Sequence, residues 1–555
     1  MRVRSLAFFV LASLAMAQQA PAPEKKLASV EGKIVDASTG EPVRKANLVL
    51  MQRPTAGGGA AMTGPPPSTA VSSDAEGKFS FTSVEPGRYG LSAEKAGYVR
   101  QQYGTRTGQF GPGTQLVLEP GQKIASIEFR LMPQAVITGK VLDDDGEPIP
   151  HTMVSVLRRM PLTRQRMTMM AMSTNDVGEF RIANLAPGRY MIRAERRGNM
   201  FGTATPASAD TPNAEGTLGY VPTYFPGVPE EASASEIAVA AGQQLSGMDI
   251  ALRKGRVFQV SGKVQGAPAG NRVQVSLQPH RTGRGGMSFG FGGGGGVKPD
   301  GSFTLAAVTP GSWDAVVMNL ESGRPQIVGR APVTVTNTNV ENVVIQAGSL
   351  LELTGRVIQE GDAKTSVTGQ VMLQPVQPLP IFIQPARIQD DGTFKISGVS
   401  RDQFRVEVMG LSGDLYVRSV RAGNVDVTTS GLDLSAADSV PPVEIRVSAK
   451  GATVSGVVLD EGKPSPGAMV VALAQPFNPD QRTAMKSAGT DQNGRFTLQG
   501  ITPGEYRIYA WDSFLPFNDL DPEQLKPFEK LAATVKLKEE AREQVELKLA
   551  SVTRE

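Results

Sequence analysis

Residue types that could do chemistry are scarce in this chain of 555 residues, which holds two histidines, His151 and His280, and no cysteine. A catalytic zinc site needs several His, Cys or carboxylate ligands around an open position, and two histidines without a thiolate fall short of the usual sets. A Ser-His-Asp triad would have to use one of the same two residues. His151 follows Pro148-Ile149-Pro150 and His280 opens a Gly-rich stretch, so both read as exposed loop residues. The acidic run Asp143-Asp144-Asp145-Gly146-Glu147 ends too soon for a calcium loop, whose oxygen donors alternate over about twelve residues. It reads as a charged turn. No Gly-rich segment precedes Lys-Ser/Thr or opens a helix, so neither a phosphate cradle nor a cofactor is expected.

Aromatic side chains are the remaining candidates, because a pyranose ring stacks on an exposed aromatic face. Two clusters stand apart from the repeated pattern set out below. Tyr220, Tyr224 and Phe225 lie in the Pro-rich GYVPTYFPGVP, and Tyr509 and Trp511 alternate with the core positions of a late strand. Tyr224, Phe225, Tyr509 and Trp511 are therefore the candidate carbohydrate-binding residues. The competing reading makes each cluster a pin that holds a loop on its own domain, with Trp511 under a short helix suggested by residues 521–532.

The elements that position these residues follow from a repeat. An Asp or Asn, a Gly and then Phe recur as Asp74–Phe79, Asn175–Phe180, Pro299–Phe303, Asp390–Phe394 and Asp491–Phe496. Each begins with turn chemistry and opens a strand. Pro-Gly follows at Pro86, Pro187, Pro310 and Pro503, where a type II turn is expected, whereas the fourth copy has Arg401-Asp402. Next comes a strand reading aromatic, aliphatic, small at every second position. Its versions are Tyr89-Leu91-Ala93, Tyr190-Ile192-Ala194, Trp313-Ala315-Val317, Phe404-Val406-Val408 and Tyr506-Ile508-Ala510. Period two puts each trio on one face of one strand. We therefore expect a repeated hairpin in every unit. Upstream lies an entry strand marked by Gly32, Gly139, Gly262, Gly355 or Gly456, about a hundred residues apart, which is the size of one sandwich domain.

Composition agrees with an all-β chain: Gly 61 and Pro 40 punctuate strands rich in Val, Thr and Ser. The formal charge of +3 argues for no nucleic-acid or anionic-membrane partner. Arg2, Arg4, the apolar Leu6–Leu14 and Ala15-Met16-Ala17 read as a signal peptide over residues 1–17, and no later run is long enough for a membrane span. Export to the periplasm or beyond is expected. The Gly-rich insertions 53–69 and 281–296 are expected to be mobile loops. Residues 158–172, Met-rich and basic, read as a long hairpin tip packed on a sheet edge or as an adaptable binding surface.

Entry strand, D-x-x-G-x-F turn, P-G-x-Y turn and exit strand together resemble the carboxypeptidase regulatory-like domain, strongly in the first, second and fifth units and in degraded form in the third and fourth. The resemblance implies five tandem immunoglobulin/prealbumin-like β-sandwich domains, over residues 27–133, 134–253, 254–348, 349–449 and 450–551. Segments 93–122 and 506–530 look like those of exported proteins of soil bacteria such as acidobacteria. The H-x-x-E zinc pair of the associated peptidases is missing, so the resemblance implies no reaction. Lys33, Lys140 and Lys263 after the entry Gly hint at the isopeptide cross-links of collagen-adhesin domains, but Arg356 and Val457 occupy that place in the other two units. The expected protein is a non-enzymatic scaffold or adhesion protein whose partners are cell-envelope glycans or envelope proteins. With linkers nearly absent, the domains are expected to form a semi-rigid rod.

Overall fold

A computed structural model describes residues 26–53, 66–105, 113–160, 162, 166–196, 216–266, 272–280, 294–321, 325–361, 367–377, 379, 383–478, 485–513 and 520–552. The signal segment and most of both Gly-rich insertions lie outside the described residues. The chain is all-β, with two facing sheets in each of five tandem sandwiches. In the first, Ala28–Asp36 runs between Lys78–Val84, antiparallel, and Lys123–Leu131, parallel. The facing sheet centres on Asn47–Gln52 and Gly87–Glu94, which pair antiparallel. Equivalent pairings recur in the other four, with entry strands Ala135–Leu142, Lys254–Gln265, Leu351–Gln359 and Ala452–Asp460.

The repeat explains why each sandwich closes. In all five, the entry glycine stands directly across from the motif phenylalanine: Gly32 from Phe79, Gly139 from Phe180, Gly262 from Phe303, Gly355 from Phe394 and Gly456 from Phe496. A Cβ at any of these glycines would overlap a backbone carbonyl across from it, and would also overlap the phenylalanine ring at Gly32 and Gly355 and crowd it at Gly139 and Gly456. Glycine lets the exit strand come close, and the ring fills the space it leaves. The predicted trios are buried, with Tyr190, Ile192 and Ala194 at 3%, 0% and 0% exposure; only Trp313 and Val408 are partly buried.

The expected hairpin is corrected. The strand before the Pro-Gly and the strand after it belong to opposite sheets, as Lys78–Val84 and Gly87–Glu94 do. The Gly φ values of +154° to +158° are far from the roughly +80° of a type II turn. Pro-Gly is an extended corner between sheets. The aromatic that follows closes it: Tyr89, Tyr190 and Tyr506 donate their hydroxyls to the carbonyls of Glu85, Ala186 and Thr502 (2.9, 2.6 and 2.8 Å), and the Trp313 indole donates to Thr309 (3.1 Å). Burial pushes the Tyr506 hydroxyl up to about 12, so it stays a donor. Phe404 follows the one corner that lacks Pro-Gly and has no donor to give.

Just before each corner the strand bulges through a residue at positive φ: Ser83, Asn184, Ala307, Gly398 and Gly500. An exposed alanine at φ 57° bears the Cβ penalty of the left-handed region with no hydrogen bond in return. Ala307→Gly is expected to stabilise the third domain by about 0.5–1 kcal/mol, net of the added unfolded-state entropy. Denaturant melts with local hydrogen-exchange readout would check this, and a loss of stability would contradict it.

A second device separates the strong copies from the degraded ones. The Ser73 hydroxyl accepts from Ala46 N–H and donates to the Val43 carbonyl (2.9 and 2.7 Å). Thr174 makes the same pair of bonds with Thr152 and Ile149, and Thr490 with Ala468 and Ser465. All three are buried and precede the residue that opens the turn; Val297 and Ile388, which have no hydroxyl, take that place in the third and fourth copies. Thr490→Val keeps the shape but leaves the Ala468 N–H without an acceptor, so the fifth domain should lose about 2 kcal/mol. A change below half a kcal/mol in equilibrium unfolding would refute the clamp.

The joints between domains are closely packed. Thr217–Tyr220 of the second domain adds a strand to the third domain's sheet, and Val316 and Ile327 of the third lie in the hydrophobic core of the fourth. Asp414 joins the fourth domain to the fifth, accepting from the Thr453 hydroxyl at 3.0 Å and pairing with Arg542 at 3.3 Å. The rod expectation fails at the end of the chain. Gln492 of the fifth domain bonds Val117 of the first, and Leu162 of the second enters an apolar cluster of the fifth.

Candidate functional site

The candidate aromatics are placed by the outer faces of two sheets. In the fifth domain, Gly504–Trp511 sends Tyr506, Ile508 and Ala510 inward and Tyr509 and Trp511 outward. The outward rings stack on each other, with centroids 4.9 Å apart and planes at 8°. That outer face is apolar, since Met469, Val471 and Leu473 of the neighbouring strand lie beside them. Such a face must be covered. The covering strap is Pro522–Leu525, a single helical turn capped by Asp521, followed by the 3-10 segment Lys526–Leu531. Leu520, Leu525 and Ala550 close over the rings, and Leu162 from the second domain completes the lid. Trp511 is 0% exposed and Tyr509 3%. Arg507 pairs with Glu529 of the strap.

The second domain repeats the arrangement with different residues. Tyr224 packs with Leu157 and Met191 on the outer sheet face, and the loop residues Val228 and Ala234 cover them. Tyr224 is 8% exposed, and burial pushes its hydroxyl pKa up. Phe225 is partly buried against the second core. Tyr220 is half-buried, with the charged ends of Arg196 and Lys254 at 5.5 and 5.4 Å from its ring centre. Arg166 reaches Glu231 and Glu236 of the covering loop (3.5 and 3.1 Å). The Met-rich segment is an edge strand, Arg166–Ser173, paired with Met153–Arg159. The carbohydrate reading of Tyr224, Tyr509 and Trp511 needs open ring faces, and the covering segments bury all three, whereas Phe225 stays partly buried against the second core.

The histidines part company. His151 sits in an exposed turn at φ 55°. The expectation of an exposed loop residue is corrected for His280, whose Nδ1 lies 3.1 Å from the buried Asp314 carboxylate. Arg330 bridges Asp314 to Asp402 of the fourth domain at 3.3 and 3.1 Å. Burial pushes the Asp402 carboxyl pKa up, with Arg330 opposing it. Sequence reading missed this network because its members lie far apart in the chain and belong to no motif. Asp143 accepts from the N–H groups of Asp145 and Glu147 and organises the charged turn. Lys33, Lys140 and Lys263 are exposed, and Lys140 pairs with Glu179. Among the described residues no group of three His, Cys, Asp or Glu could hold a metal ion, and no helix is long and apolar enough to cross a membrane.

A repeated sandwich with its conserved features devoted to packing defines a modular β protein. Residues 29–131 and 136–253 each match the carboxypeptidase regulatory-like domain, so the chain carries two such domains in tandem. Residues 449–521 match the BOS complex subunit NOMO1-like, second beta sandwich domain. A comparison with curated proteins finds no match. Among solved structures, the Bacillus anthracis TIE protein is similar at 12% identity and TM-score 0.16, over 58% of this chain and 51% of its own. The minor pilin of Streptococcus agalactiae aligns at 12% identity and TM-score 0.22, over 41% of this chain and 96% of its own. Two B repeat units of the Staphylococcus aureus collagen binding protein align at 10% and 0.13, over 76% and 99%. At these scores the family match alone carries the assignment.

Proposed function

We propose that this chain is an exported, non-enzymatic scaffold that holds partners of the cell envelope, with domain units over residues 27–133, 134–253, 254–348, 349–449 and 450–551. One observation carries the reading: what recurs from unit to unit is structural. The Gly-Phe pair, the corner aromatic and the turn Asp or Asn all serve packing or backbone hydrogen bonds. Residues that repeat for chemistry would instead converge on a cleft. The fold itself implies no reaction.

The test is a screen of residues 18–555 on a glycan array, followed by cross-linking to envelope proteins from the native cell. Capture of a protein partner without saturable glycan binding supports the scaffold. Saturable glycan binding confirmed by calorimetry would replace it with the carbohydrate-binding reading, and turnover of any captured substrate would overturn the non-enzymatic assignment.

A further inference from the structure

The strand Gln115–Leu118 lies at the edge of the first domain's second sheet. Leu116 and Leu118 point into the core at 0% and 2% exposure, while the backbone of Val117 faces outward. An open sheet edge is a template for another strand. Here it is met by the fifth domain's turn. The Gln492 side-chain amide accepts from Val117 N–H and donates to Val117 C=O, both at 3.0 Å, which copies the pairing of a neighbouring strand. Gln115 and Asp491 form a parallel bridge beside it. Gly467 lies so close to the Gly104 carbonyl that a Cβ would not fit. At a second point Asp521 N–H donates to the Leu162 carbonyl at 3.2 Å, next to the apolar contact of Leu162 with the strap.

We propose that the Gln115–Leu118 edge is a docking surface for the 491–494 turn of this chain's own fifth domain, and that the contact is a latch. The latch closes the five domains into a ring and opens without unfolding any of them. The contrast between joints supports this. The joint between the third and fourth domains shares a hydrophobic core, and the second and third share a sheet. Among the described residues no member of the first domain's core belongs to either apolar cluster of the fifth. Among the described residues the closing contact is the Gln492 amide, the Gln115–Asp491 bridge, the Gly467–Gly104 approach, and Leu162 with its backbone bond from Asp521. On release, both domains keep their cores and the Val117 edge becomes free to accept an extended segment. The inference rests on these contacts alone and stands whatever the chain binds.

Because the chain has no cysteine, Gln115→Cys with Asp491→Cys introduces the only thiols. Oxidising the dilute full-length double variant should give an intramolecular disulfide, seen as a faster monomer band without reductant. In parallel, Gln492→Ala with Leu162→Asp should raise the radius of gyration from X-ray scattering above the wild-type value, as the ring opens between the first and fifth domains while the joints that share a sheet or a core hold. Its far-ultraviolet circular dichroism should not change. Cross-links only between chains, no cross-link at all, or a wild-type radius already equal to that of the release variant would each overturn the latch.

Discussion

Replacing Gly456 by alanine is expected to cost the fifth domain about 3 kcal/mol, at the upper end for inserting one methyl group into a packed interior. The methyl would meet the Val545 carbonyl oxygen, and beyond it the Phe496 ring at 3.1 Å. A side-chain neighbour could rotate away. The backbone of Arg542–Lys548 cannot, because it pairs in parallel with the entry strand over seven residues from Thr453 to Leu459. The exit strand must then separate or the entry strand must slip, and a one-residue slip turns core residues to solvent. Calorimetry on the full chain should show one transition shifted down and the rest in place. Gly296→Ala is the control, since nothing lies within 4 Å of its Cβ position. A Gly456→Ala cost below about 1 kcal/mol would mean that the close approach does not govern stability.

Trp511→Ala carries the second large effect, about 3–5 kcal/mol for emptying a fully buried aromatic site. Trp511 is among the largest fully buried side chains in the protein, and Tyr509 loses its stacking partner with it. The loss should concentrate in the strap, because residues 520–531 are held mainly by this apolar face, with the Arg507–Glu529 pair and the Asp521–Leu162 bond beside it. Hydrogen exchange by mass spectrometry should show early deprotection of 520–537 in the variant, while the first to fourth domains keep wild-type rates. Unchanged protection of the strap would show that Trp511 does not pin it.

Much of the framework can be read from residue types. Each trio alternates with period two, and alternation tells which residues share a face; Tyr506, Ile508 and Ala510 are all buried as it predicts. Alternation does not tell what covers the other face. For Tyr509 and Trp511 two readings stand side by side, a sugar platform and a short helix over 521–532 packed on Trp511, and alternation cannot choose between them; the structure supplies the cover through Leu520 and Leu525. The corner was misread for a related reason. Pro-Gly marks a change of direction, but the same dipeptide serves within one sheet or between two. The polar tip of the aromatic after it was the available clue: three tyrosines and a tryptophan follow Pro-Gly, and the phenylalanine follows Arg-Asp. The Ser or Thr before the turn residue was equally visible, and it marks the three copies that keep the clamp. The network of His280, Asp314, Arg330 and Asp402 leaves no such trace, because only the packing of one domain on another brings it together.

The parallel pairing of first strand with last sets the order in which the protein can form. Ala28–Asp36 closes on Lys123–Leu131, so the first domain's sheet is incomplete until the 86 residues between them have been synthesised. Local contacts cannot substitute, since successive strands around each corner lie in opposite sheets. High contact order of this kind makes folding slow, and each unit stays open at one edge until its final strand appears. Only three residues lie between the end of the exit strand at Leu131 and the start of the next entry strand at Ala135. A growing chain therefore completes one domain almost as it begins the next, and at most one unit at a time is exposed to mispairing with neighbours of the same fold.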